Sequence, residues 1–246
     1  MAVYLKEFET QAAYEAAQSG LILPNVSFID ENHSVAYKPY VDPYGGHEYV
    51  DLGLSVKWAT MNVGATSVTD YGLYFQWGDT QGYTASQAGS GEGQKKFAWA
   101  DYKYSKNGTG SSSDMTKYNS TDGLITLTSE DDAVQAAWGG KWRMPTKDEF
   151  LELKDAVNAE RTQINGVNGL LCTAKNGSDV QLFFPASDSC GGWNIVPTQG
   201  SAINYWSSTL HNDKTRAYLL SVQGSYQYWD WDYGRYFGHP VRGVAE

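Results

Sequence analysis

From Tyr226 to Phe237 the chain reads Tyr226-Gln227-Tyr228-Trp229-Asp230-Trp231-Asp232-Tyr233-Gly234-Arg235-Tyr236-Phe237, with no aliphatic residue in it. That excludes a strand buried on both faces, which needs a near-continuous Val, Ile and Leu run. The run also fails to alternate cleanly between apolar and polar, as a strand half-buried on a core would. Large rigid rings give contact area at low entropic cost, and small polar residues give adaptable hydrogen bonds. The segment is therefore expected to be a recognition surface carried on a larger scaffold, not the wall of a catalytic cleft.

The rest of the 246 residues must supply that scaffold, and the length suits one large domain with a small extension. With 18 basic and 28 acidic residues the net charge is −10, which disfavours nucleic acid, since phosphate binding needs a basic patch. Nine Trp, 18 Tyr and 26 Gly fit a loop-rich, β-containing domain better than a helical one. The start, Met1 to Phe8, has no basic region followed by an apolar run, and no stretch approaches the roughly 20 apolar residues of a membrane span. No signal peptide and no membrane insertion are expected. Cys172 and Cys190 show no CxxC or HxxxH spacing, so no zinc cluster is expected, and a bridge between them is neither required nor excluded.

Residues 1–46 read as a small helix-hairpin module. Thr10 can cap a helix over Gln11 to Gln18, and Val26 to Ile29 with Val35 to Tyr37 form a hairpin signal. Pro39, Pro43 and Gly45-Gly46 mark a linker. Such a unit suits packing on a larger domain, oligomer formation, or attachment to a virion or pilus. Residues 47–246 then form the main domain. Tyr49 to Ala59 predicts two short strands with Gly53 at the turn, and Tyr71 to Gly78 a further aromatic strand. Residues 80–122 read as a long irregular insertion pinned by Phe97, Trp99, Tyr102 and Tyr104. One helix is expected from an acidic cap at Ser129 to Trp138, stopped by Gly139-Gly140. A second opens at Thr146 with Glu149 three residues on, and carries Phe150, Leu151, Leu153 and Val157 on its apolar face. Gly169 to Thr173 and Val180 to Phe184, joined through Asn176-Gly177, predict a hairpin. The class is α+β.

Several motifs in order from residue 49 to 244 carry a family resemblance. They are Tyr49-Val50-Asp51-Leu52-Gly53-Leu54, Trp77-Gly78-Asp79-Thr80, Trp138-Gly139-Gly140-Lys141-Trp142-Arg143-Met144-Pro145-Thr146, Leu182-Phe183-Phe184-Pro185-Ala186, Tyr205-Trp206-Ser207-Ser208 and Val241-Arg242. In this order they resemble the Fibrobacter succinogenes major paralogous domain, common in gut Bacteroidetes. The resemblance implies a C-type-lectin-like fold: two helices, small antiparallel sheets and long irregular loops displaying the C-terminal segment. The chain is also similar to the variable proteins of diversity-generating retroelements, carried by bacteria and their phages. That likeness implies a virion-associated or cell-surface setting, and a protein or glycan ligand on a cell surface. Retroelement diversification changes adenines, so Asn codons become those for Tyr, Asp or His. Tyr226, Tyr228, Asp230, Asp232 and Tyr233 fit such an origin, whereas Trp229 and Trp231 do not.

The expected ligand-contacting residues are Tyr226, Tyr228, Trp229, Asp230, Trp231, Asp232, Tyr233 and Arg235, joined by His211, Asn212 and Asp213 and by Trp193 and Asn194. Asp230 and Asp232 alone fall short of the six to eight oxygens of a calcium site, and no cofactor is expected. The alternatives are a structural phage-tail or fimbrial component with a fixed ligand, and an enzyme related to formylglycine-generating enzymes, whose cysteine-surrounding motif Cys172 and Cys190 lack.

Overall fold

The computed structural model describes residues 28–29, 35–36, 44–192 and 196–246. The chain divides into two compact units, Met1–Gly46 and His47–Glu246. In the first, β1 (Phe28–Ile29) pairs antiparallel with β2 (Val35–Ala36). The helix expected over Gln11 to Gln18 lies outside the described residues.

The second unit is α+β and mainly β, its described residues forming three small antiparallel sheets and two α-helices. The first sheet takes strands from distant parts of the sequence: β3 (Tyr49–Val50), β4 (Lys57–Asn62), β5 (Trp142–Arg143) and β12 (Arg242–Ala245), in the order β3-β4-β12-β5. Every residue of β12 is buried, so the end of the unit is locked between its beginning and its middle. The second sheet is a meander of β6 (Val157–Ile164), β7 (Val167–Ala174) and β8 (Gln181–Pro185). The third joins β9 (Ala202–Leu210), β10 (Arg216–Gln223) and β11 (Tyr226–Gly234), with β11 at the edge.

Helix α1 (Ala133–Trp138) is capped by Asp132, not by Ser129. Asp132 Oδ1 accepts from the Val134 and Gln135 N–H groups at 2.9 Å, while its Oδ2 accepts from Met144 N at 2.8 Å. Residues 129–131 form a 3-10 turn ahead of it. Helix α2 (Lys147–Ala156) starts at the Thr146–Glu149 capping box. It packs against β9, β10 and β11 and fills the main core with Phe150 and Leu153. Val157 does not continue that helix but opens β6.

The segment from Tyr71 to Gly78 forms no continuous strand. Gly72 and Gly78 bend it at positive φ; its ladder pairing is limited to isolated bridges, Tyr74 to Tyr83 and Phe75 to His239, and side chains such as Tyr74, Gln76 and Trp77 bond it to distant carbonyls. The insertion over 80–122 is irregular, with Phe97, Tyr102 and Tyr104 buried as anchors. Asp131 holds it from the other side. Its carboxylate accepts from Lys103 Nζ at 2.9 Å, Lys117 Nζ at 2.6 Å, Tyr118 OH at 2.7 Å and Tyr104 OH. Burial pushes the Asp131 carboxyl up, but these hydrogen bonds outweigh it and hold the group well below the usual carboxylate range. No helix among the described residues is long and apolar enough to cross a membrane.

Candidate functional site

The C-terminal hairpin explains why its sequence does not alternate. Strands β10 and β11 turn at Gly224-Ser225, where Gly224 takes a positive φ. Across the ladder Ser221 faces Tyr228 and Leu219 faces Trp231, so two residues, Trp229 and Asp230, stand opposite Leu220 alone. This is a β-bulge. Tyr228 and Trp231 are three apart and would point to opposite faces of a regular strand. The bulge puts them on the same face, with ring centroids 4.6 Å apart. Tyr226 lies next in the row, 6.2 Å from Tyr228 and nearly parallel to it.

These three rings are open to solvent, Tyr226 being 66% and Trp231 40% exposed, with Tyr228 half-buried. Among the described residues, neither the hydroxyls of Tyr226 and Tyr228 nor the indole N–H of Trp231 has a hydrogen-bond partner. Six buried rings differ: Tyr74, Tyr102, Tyr118 and Tyr205 bond through their hydroxyls, and Trp77 and Trp206 through their indole nitrogens. Buried Tyr and Trp usually find such partners, Trp58 being an exception, and solvent-facing ones keep their polar ends free for a ligand. Asp230 is exposed and likewise has no partner among the described residues. The row continues into the body through Tyr233, whose hydroxyl accepts from Gln223 Nε2 at 3.2 Å and whose ring meets Phe237 at 5.1 Å and His239 at 5.3 Å. Gln223 is a residue of this face that sequence reasoning missed; its place just before the Gly-Ser turn was the only signal.

Two expected contact residues are core instead. Trp229 points away from the row of rings and is only 3% exposed, within the cluster that holds Leu153, Leu220 and Val222. The bulge that gathers Tyr228 and Trp231 on one face gives Trp229 to the other. Arg235 is fully buried. It donates to Tyr102 OH at 2.8 Å and to the carbonyls of Lys214, Tyr118 and Lys117 at 2.8, 3.1 and 2.9 Å, and lies over the rings of Trp77 and Tyr102. All three of its nitrogens serve the scaffold, and its full burial keeps it from a ligand. Asp232 pairs across the ladder with Tyr218, on the face away from the rings, and is ion-paired with Arg216, whose Nη2 also reaches the Asp232 carbonyl at 3.1 Å.

His211, Asn212 and Asp213 form the turn between β9 and β10. His211 Nδ1 accepts from Asp213 N at 3.0 Å, and Asp213 Oδ1 accepts from Thr215 N and Oγ1 at 3.0 and 2.8 Å. The Thr215 main-chain bond heads the causes that hold the Asp213 carboxyl below its usual range. The His211 ring packs on Tyr218, 4.8 Å away. Because Arg216 pairs with Gly234, this turn sits at the end of β11 remote from Tyr226. Six residues of strand separate Gly234 from Tyr228 and three separate it from Trp231, on the order of 20 and 10 Å, and Tyr218, on which His211 packs, pairs with Asp232 on the face away from the rings. The two groups are not brought into one patch. Trp193 and Asn194 lie outside the described residues.

Both cysteines are free and buried. Burial pushes the Cys172 thiol up to about 12, and burial with the Asp188 charge raises Cys190 further. A thiol so raised is a poor nucleophile. No group of three or more His, Cys, Asp or Glu among the described residues is placed to hold a metal ion. Comparison of the chain with family models, with curated proteins and with solved structures finds no match.

Proposed function

We propose that this protein is a non-catalytic recognition module that presents Tyr226, Tyr228, Asp230 and Trp231 to a protein or glycan ligand on a cell surface. The observation that carries the reading is the row of three solvent-facing rings with free polar ends, in the same strand as the exposed and unpaired Asp230, where the buried rings of Tyr74, Tyr102, Tyr118, Tyr205, Trp77 and Trp206 are bonded internally. Exposed aromatic clusters of this kind mark interaction sites. The scaffold is read as C-type-lectin-like, of the Fibrobacter succinogenes major paralogous domain type, with β11 as the kind of segment that a retroelement diversifies. Support for this comes from the division of labour along the segment: Tyr226, Asp230 and Trp231 are exposed and Tyr228 half-buried, whereas Trp229 among them and Arg235 just after β11 are buried anchors.

The test is amplicon sequencing of codons 190–244 in the natural population that carries the gene. Variation at 226, 228, 230 and 231 over constant Trp229 and Arg235 is the expected result. An invariant segment removes diversification and leaves a fixed-ligand module. Binding itself is tested by replacing Tyr226, Tyr228 and Trp231 together with Ala, which abolishes attachment to the host surface and leaves the fold intact.

A further inference from the structure

Elsewhere among the described residues, three tyrosine rings, two buried and one half-buried, are each paired with a cation and a carboxylate. Lys103 lies over Tyr104 at 4.8 Å and binds Asp131 at 2.9 Å. Lys117 lies over Tyr118 at 5.3 Å and binds the same Asp131 at 2.6 Å. Lys95 lies over Tyr83 at 5.4 Å and pairs with Asp101 at 3.4 Å. In each, the ring face and the carboxylate attract one ammonium together.

The C-terminal hairpin holds two parts of this arrangement and lacks the third. Tyr228 and Trp231 are in ring contact, and Asp230 is the residue before Trp231. No Lys or Arg lies over Tyr226, Tyr228 or Trp231 among the described residues, and Asp230 has no ion pair there. From Ser221 to Trp231 the sequence contains no basic residue, and Asp230 is its one acid. Two cations border the hairpin and both are engaged: Arg216 by Asp232, and Arg161 at the turn by the carbonyls of Gly224 at 3.4 Å and Ser201 at 2.9 Å.

We infer that the ligand supplies the missing cation: the hairpin receives a Lys or Arg side chain of a partner polypeptide, seated on the Tyr228–Trp231 rings and drawn by Asp230. This rests on the recognition reading above and names the partner chemistry for it. A choline headgroup offers a cation too, but its adjoining phosphate would find no basic residue from Ser221 to Trp231, only Arg161 at the Gly224 turn, where main-chain carbonyls already engage it, on a chain of net charge −10. A neutral glycan would stack on the rings and leave Asp230 without a charge partner.

The experiment follows the indole N–H resonance of Trp231 by NMR in the full chain, assigned through Trp231→Phe. Five probes are titrated: Nα-acetyl-lysine methylamide, Nα-acetyl-arginine methylamide, the neutral norleucine counterpart, phosphocholine and methyl glucoside. The expected result is saturable binding of the lysine and arginine probes, roughly two- to fivefold tighter than norleucine. Asp230→Asn removes most of that difference, and Tyr228→Ala abolishes the shift while the melting temperature holds. Norleucine binding as well as lysine overturns the inference, as does tighter binding of phosphocholine or methyl glucoside. In those cases the hairpin remains a binding face and only its partner chemistry changes. Silence with every probe overturns the inference also, and the surface-attachment test of the triple Ala variant then decides the recognition reading separately.

Discussion

Trp229 and Trp231 are two residues apart, of the same type, and opposite in consequence. Truncating Trp229 empties a site in the core shared with Leu153, Leu220 and Val222, so Trp229→Ala is expected to cost about 3–5 kcal/mol. Trp231→Ala removes a ring already 40% exposed and is expected to stay within about 1 kcal/mol of the parent. Urea midpoints of the two variants measure the difference, and near-equal losses would move Trp231 into the scaffold. His239 makes a second residue-level case. It is fully buried, 4.5 Å from Trp206, and no group among the described residues hydrogen-bonds either ring nitrogen. Burial pushes its pKa down to about 3 from an ordinary 6.5. The unfolded chain therefore binds this proton first as pH falls. Stability attached to neutral His239 is complete above pH 6.5 and is lost by about 1.4 kcal/mol per pH unit from there towards pH 3. Between pH 5 and 6.5 carboxylates hardly titrate, so His239→Phe is expected to flatten the slope in that window. A pH series of urea midpoints that keeps its slope in the variant would assign the acid sensitivity elsewhere.

At the scale of elements, what was legible in the sequence is what local chemistry decides. The Thr146–Glu149 box fixes the start of α2 because both bonds form within four residues. β6 was not legible. Val157-Asn158-Ala159-Glu160-Arg161-Thr162-Gln163-Ile164 holds helix formers directly after a helix, and its strand state comes from full pairing with β7. The signal that could have found it is Asn165-Gly166, both at positive φ in the two-residue turn between those strands. Gly166→Ala therefore tests the hairpin cleanly: a Cβ there meets nothing within 4 Å, so the cost is backbone strain alone, about 1 kcal/mol. A larger loss by thermal unfolding would mean that the turn also packs. The bulge at Trp229 and Asp230 was equally hidden. Its location depends on which face the core takes, and from sequence Trp229 and Trp231 look alike. Arg235 misled for a related reason: among aromatics and Asp it reads as a contact residue, yet its partners Lys117, Tyr118 and Lys214 come from loops whose approach no local pattern announces.

At the scale of the His47–Glu246 unit, the displayed hairpin depends on anchors that are distant from one another in sequence. β12 is held between β4 and β5, and Arg242 within it donates to Asn62, Ala59, Thr60 and Phe183. Arg235 ties the end of β11 to the insertion, and Trp229 ties its middle to the core that α2 fills. None of these bonds involves Tyr226, Tyr228, Asp230 or Trp231. A scaffold built this way separates the residues that hold the strand from those that meet a ligand. Changing all four display residues at once, Tyr226→Ser, Tyr228→Asn, Asp230→Asn and Trp231→Ser, then removes only exposed cross-strand contacts worth a few tenths of a kcal/mol to about 1 each. The combined variant is expected to fold cooperatively and lose no more than about 3 kcal/mol, comparable to or less than Trp229→Ala alone. Differential scanning calorimetry on the parent and both variants decides it. If the fourfold variant unfolds while Trp229→Ala survives, the rings and not the buried anchors hold the hairpin, and the display surface would have to be sought elsewhere on the unit.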